Sequence, residues 1–149
     1  MKTVKLASGF EMPVLGLGTW QLTGRKCREA VKKAIELGYR HIDTAWIYDN
    51  QEKIGEAIEE SKIKREKLFI TSKVWTDNLR YEDVLEQCDE TLDQLKVNYL
   101  DLYLIHWPTA DPERKISINK REETWRAMEE IYKSGKAKAI GVSNYTIAH

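Results

Sequence analysis

The order of apolar patterns constrains this chain more than any single motif does. Short apolar runs at 14–19, 39–43, 67–73, 99–105 and 137–142 read as strands. Between them, apolar residues recur at helical spacing over 26–37, 51–60, 82–95 and 124–132. The first helical stretch carries Cys27, Ala30, Val31, Ala34, Ile35 and Leu37 at helical spacing, and Gly38 stands where a helix C-terminal cap belongs. Ahead of this series, 3–7 and 10–14 alternate around Ser8-Gly9 and read as a hairpin. A hairpin followed by four strand–helix units and a fifth strand predicts a parallel sheet with right-handed crossovers. Ser143-Asn144 reads as the start of a fifth helix, and 109–121 as the longest irregular loop.

Composition narrows the function classes. The chain has 149 residues, with 24 Lys+Arg balanced by 24 Asp+Glu. No basic surplus is available to displace counterions, so a nucleic-acid partner is not expected. No apolar run approaches the ~18 residues of a membrane span, and the start, Met1-Lys2-Thr3-Val4-Lys5-Leu6, is too polar for a signal peptide. Cys27 and Cys88 have neither pairing nor metal spacing, so free thiols, no metal and a cytoplasmic location are expected. Both sit on helix inner faces and read as small apolar residues. The Lys- and Glu-rich helix surfaces read as solvated faces with pairs such as Glu29–Lys33.

In a β/α barrel the chemistry sits at the C-terminal ends of the strands. Those ends here carry Thr19 and Trp20, then Asp43 with Tyr48 five residues on, then Lys73 and Trp75, then His106 and Trp107, then Ser143 and Asn144. An acid, a phenol, an amine and an imidazole therefore share one rim with aromatic neighbours. Each alone has an ordinary reading. Asp43 fits a turn or helix cap, Tyr48 a surface tyrosine, Lys73 a solvated charge, His106 a hydrogen-bonded core histidine and the tryptophans plain core. His41 precedes its strand end and reads as non-catalytic, and Trp125 reads as helix packing. Gly16-Leu17-Gly18 is followed by Thr19-Trp20-Gln21, so no dinucleotide-binding G-x-G-x-x-G is present.

The segments Gly16-Leu-Gly-Thr-Trp20, Gly38-Tyr-Arg-His-Ile-Asp-Thr-Ala45 with Tyr48, Leu68-Phe-Ile-Thr-Ser-Lys73, Tyr99-Leu-Asp-Leu-Tyr-Leu-Ile-His-Trp-Pro108 and Lys136-Ala-Lys-Ala-Ile-Gly-Val-Ser-Asn144 resemble the N-terminal half of an aldo-keto reductase. The resemblance implies an incomplete (β/α)8 TIM barrel over 1–149: the hairpin, which plugs the bottom, the first five strands and four helices, with the C-terminal half absent. It implies NAD(P)H-dependent reduction of aldehydes or ketones, with NADPH expected and NADH possible. Tyr48 is then the general acid, Lys73 the cation beside it, Asp43 the partner that fixes Lys73, and His106 the group that orients the substrate oxygen. A lysine about 4 Å from a phenol contributes ~4 kcal/mol at an effective dielectric near 20, an upper figure of roughly three pKa units. Thr19, Asp43, Ser143 and Asn144 match nicotinamide and ribose contacts. Trp20, Trp46, Ile47, Trp75 and Trp107 would wall an apolar substrate mouth.

Five strands cannot close an eight-stranded barrel. The alternative reading is therefore a non-catalytic half-barrel that lacks the cofactor phosphate site and associates through open sheet edges. For the isolated chain, self-association and negligible turnover are the expectation.

Overall fold

The computed structural model describes residues 2–77, 79–108 and 118–147. Strands β1 (Thr3–Lys5) and β2 (Glu11–Pro13) form an antiparallel hairpin, turned at Gly9 with φ +88°. The parallel sheet follows: β3 (Leu17–Gly18), β4 (His41–Asp43), β5 (Phe69–Val74), β6 (Leu102–Ile105) and β7 (Ile140–Val142), adjacent in chain order. The connecting helices are α1 (Gly24–Glu36), α2 (Gln51–Ser61), α3 (Tyr81–Leu95) and α4 (Ile118–Lys133), and each packs on the next. With no reversal of strand order there is no switch point, so successive crossovers stack their helices on one face of the sheet. The other face is left to line an interior.

Strand alternation divides the sheet between these faces. Ile42, Ile70, Val74, Tyr103 and Ile105 join the core beneath the helices, where Val31, Ile54, Val84, Leu95 and Met128 meet them. Each such aliphatic side chain contributes ~1.5–3 kcal/mol by leaving water. On α3 the buried positions Val84, Gln87, Cys88, Thr91, Leu92 and Leu95 follow the helical repeat. Helix α1 ends as its sequence indicates: Gly38 (φ +96°) donates to Ile35 O at 3.1 Å and Tyr39 donates to Ala34 O at 2.9 Å, closing a Schellman turn. Cys27 and Cys88 are fully buried free thiols, and burial pushes them up to about 11 and about 12.

The opposite face carries His41 and Asp43, then Thr71 and Lys73 beside them. Its lower end is closed by the hairpin. The carbonyl of Pro13 lies 3.1 Å from His41 Nδ1, and Lys138 Nζ sits 5.6 Å from the Phe10 ring centroid. A carbonyl only accepts, so His41 carries its proton on Nδ1, and Nε2 accepts from Thr71 Oγ1 at 2.9 Å. Burial lowers the His41 pKa, which keeps the ring neutral. Gly16 is required there, because a Cβ would stand 2.9 Å from the imidazole.

Several sequence expectations change. The strands are shorter than the apolar runs: β3 covers Leu17–Gly18, β6 Leu102–Ile105 and β7 Ile140–Val142, and Lys67 closes the 3₁₀ turn Arg65–Lys67 ahead of β5. The loop expected over 109–121 is helical from Ile118, and 109–117 lies outside the described residues. No helix starts at Ser143-Asn144 within the described residues, because Asn144 adopts φ +63°. The Glu29–Lys33 pair is absent: Lys33 bonds Glu36 at 3.1 Å while Glu29 lies 3.7 Å from Arg28. Trp125 is 37% exposed rather than packed. No helix among the described residues is long and apolar enough to cross a membrane, and no metal-ligand cluster occurs among them.

Candidate active site

Asp43 ends β4, Lys73 lies one residue before the end of β5, and His106 and Ser143 directly follow β6 and β7. Parallel registration therefore brings them to one edge. Asp43 pairs with Thr71 across β4 and β5, so Lys73 sits on the same face one pleat higher. Its side chain lies back across that step. Lys73 Nζ donates to Asp43 Oδ1 at 2.6 Å and to Thr44 O at 2.9 Å. Lys73 is 7% exposed, whereas the Asp43 side chain is 36% exposed. The buried ammonium is thus held by a carboxylate that still reaches solvent.

Tyr48 closes the 3₁₀ turn Trp46–Tyr48, and Asp49 follows in the left-handed region. The turn brings the phenol over Lys73, whose nitrogen lies 5.6 Å from the ring centroid. The His106 ring stands edge-on to Tyr48 at 5.6 Å and to Trp75 at 5.4 Å. A cavity of about 690 Å³ opens between these groups, lined also by Trp20, Gln21, Ile47, Trp107, Ser143 and Asn144. Asn144 Nδ2 donates to the His106 carbonyl at 2.8 Å and to Ser143 Oγ at 2.9 Å, tying the fifth strand end to the fourth.

Burial, and then Lys73, bring the His106 pKa down to about 4, so the ring is neutral near pH 7. His106 Nδ1 is buried with no hydrogen-bond partner among the described residues. Nothing holds the proton there, and the ring can present it from Nε2. Tyr48 shows a different balance from the sequence expectation. Burial and then Asp43 raise its pKa, where Lys73 was expected to lower it. Burial of the phenol is the larger cause, and Asp43, 2.6 Å from Lys73, adds its own field in the same direction. The phenol is consequently fully protonated near neutrality, as a proton donor must be before it acts.

Two expected site residues lie elsewhere. Trp46 does not line the cavity, because its indole N–H donates to Glu90 Oε2 on α3 at 2.8 Å and anchors the Tyr48 turn from outside. Thr19 is fully buried behind the rim, with its hydroxyl donated to Asp43 O at 3.0 Å. Sequence reasoning passed over Gln21, which lines the cavity beside Trp20 in a left-handed conformation. It also passed over the Thr44 carbonyl, which as backbone leaves no side-chain signal.

A sequence model of the Aldo/keto reductase family matches residues 14–149. Over 148 residues the chain is 51% identical to the glyoxal reductase of Bacillus subtilis, covering 99% of this chain and 51% of that protein. It is 40% identical over 167 residues to the D/L-glyceraldehyde reductase of Hypocrea jecorina, covering 99% of this chain and 50% of that protein. Among solved structures, the aldo/keto reductase from Brucella melitensis superposes with a TM-score of 0.90 at 44% identity, covering 99% of this chain and 55% of that one. The chain spans about half the length of the curated relatives it matches. Together the family match and these likenesses show that the chain belongs to the aldo/keto reductase family.

Proposed function

We propose that this chain supplies the proton-donating half of an NAD(P)H-dependent reductase of small aldehydes or ketones, built as the first five strands and four helices of a (β/α)8 barrel. The observation that carries the reading is the meeting of the Lys73–Asp43 pair, Tyr48 and neutral His106 around one cavity of about 690 Å³. Bound NAD(P)H supplies hydride to the carbonyl carbon. Tyr48 gives its proton to the carbonyl oxygen, and Lys73 stabilises the phenolate as it forms. Asp43 and the Thr44 carbonyl hold the ammonium in place. His106 donates to the same oxygen and fixes its direction.

The donor set fits a nicotinamide amide: the Ser143 hydroxyl and the Asn144 side chain stand at the cavity mouth, with Asp43 on the strand three positions across the sheet. Thr19 supports this side through Asp43 rather than by direct contact. Trp20, Ile47, Trp75 and Trp107 give the mouth apolar walls suited to a small carbonyl compound. NADPH is the expected cofactor. The two buried free thiols fit a reducing, cytoplasmic setting. By itself the chain has β3 and β7 each paired on one side among the described residues, so self-association through those edges is expected.

The test is NADPH oxidation on addition of glyoxal, measured on this chain and on the chain joined to the C-terminal half of the Bacillus subtilis glyoxal reductase. Aldehyde-dependent oxidation by the joined protein, with little by the chain alone, is expected. A folded joined protein that binds NADPH and never oxidises it with glyoxal, glyceraldehyde or an aromatic aldehyde would overturn the reading.

A further inference from the structure

Asn50 occupies the N-cap position of α2, where an asparagine ordinarily accepts from a backbone N–H of the first helical turn. Here its side chain makes no such bond. The amide, 2% exposed, is spent on other elements. Nδ2 donates to Thr19 O at 2.8 Å and to Leu22 O at 2.9 Å, while Oδ1 accepts from Thr44 Oγ1 at 3.0 Å. Both donors and the acceptor are engaged, and the two carbonyls fix which end of the amide faces them.

The partners bracket the site. Thr19 and Leu22 are the ends of a tight turn, closed by Leu22 N–H to Thr19 O at 3.0 Å, whose tip is Trp20 and Gln21. That tip lines the cavity, and Gln21 holds φ +63°, a conformation that a free loop would leave. Thr44 is the residue whose carbonyl receives Lys73 Nζ. Asn50 itself stands two residues after Tyr48. A single buried amide therefore joins the first rim turn, the anchor of the ammonium and the segment bearing the phenol.

We propose that Asn50 is a positioning residue, locking the Trp20–Gln21 turn against the Tyr48 segment so that the mouth and the proton donor keep a fixed spacing. The proposal deepens the reductase reading and rests on it for its kinetic consequence. Its two arms separate by substitution. Asn50→Asp keeps an acceptor for Thr44 but loses both donations and sets a carboxylate against two carbonyls. Asn50→Ala loses both arms.

The experiment follows deuterium uptake in both variants, made in the chain joined to the C-terminal half of the Bacillus subtilis glyoxal reductase, together with glyoxal reduction by NADPH. In Asn50→Asp, uptake across 19–24 rises about tenfold while β5 and α3 are unchanged, and KM for glyoxal rises about tenfold with kcat within about threefold of the parent. In Asn50→Ala, kcat falls as well, because the Thr44 hydroxyl loses its acceptor and the residue whose carbonyl holds Lys73 is less firmly fixed. Unchanged uptake at 19–24 would overturn the proposal, as would uniform loosening of the whole chain, which is what a simple helix cap would give. If the joined parent protein reduces no carbonyl, the reductase reading fails, and the uptake pattern alone decides whether the lock exists.

Discussion

Replacing Lys73 by Met removes the ammonium and keeps most of the stem. Two consequences follow from the geometry. Asp43 loses the partner at 2.6 Å and Thr44 O loses its donor at 2.9 Å. Removing one member of a fully buried pair costs ~3–5 kcal/mol, but water reaches a carboxylate exposed to 36%, so ~1–2 kcal/mol of stability is the expected loss. The second consequence falls on Tyr48. A unit charge 5.6 Å from the ring centroid contributes about 3 kcal/mol to a phenolate at an effective dielectric near 20. With half the charge developed in the transition state the rate falls about tenfold, and with full charge about 150-fold. The assay is the pH profile of NADPH-dependent glyoxal reduction by the joined protein, read beside a denaturant melt. The alkaline limb, which reports the proton donor, should move to higher pH as the phenol loses its cation. A folded variant working within about threefold of the parent rate, with that limb unmoved, would refute the electrostatic role of Lys73.

Other predictions concern the scaffold. In Gly55→Ala the new Cβ would lie 2.6 Å from Gln94 O and 2.9 Å from the Leu95 carbonyl carbon. Backbone atoms give way only if α2 and α3 part, so a net loss of ~1–2 kcal/mol is expected after the helix-propensity gain. A denaturant midpoint equal to the parent's would contradict that close contact. The folded state holds His106 at about 4 and lowers His41 as well, whereas the unfolded chain takes up both protons near pH 6.5. Stability should therefore fall as pH drops from about 6.5 toward 4, by ~3 kcal/mol at most from His106, and level off below. Melts across that range check it, and His106→Gln should flatten the dependence. A slope that persists undiminished in both His106→Gln and His41→Gln would place the acid sensitivity elsewhere.

The sequence carried the architecture well because strand and helix periods are local. Apolar runs, the alternating hairpin and helical spacing marked the strands and helices seen among the described residues, and the strand ends carry the groups that line the cavity. Trp46 was placed in the mouth because position alone suggested it, yet one hydrogen bond to Glu90, 44 residues away, turns the indole outward. Asn144 looked like a helix start because Ser-Asn is a common cap pair, but its amide is committed to the carbonyl of His106, 38 residues away. The sign of the Tyr48 shift has a different source: burial of the phenol raises its pKa, and the field of Asp43, assigned only to hold Lys73, adds to it. The first two misses are polar contacts distant in sequence, and the third is a burial cost that no local pattern encodes.

The most direct test is Tyr48→Phe in the chain joined to the C-terminal half of the Bacillus subtilis glyoxal reductase, a change that removes one oxygen and leaves the ring that faces His106. Cofactor binding, followed by quenching of tryptophan fluorescence on NADPH addition, should persist, and the folded protein should lose nearly all glyoxal reduction. If Tyr48→Phe retains most of the parent rate, the proton comes from another group and the assignment of Tyr48 is wrong.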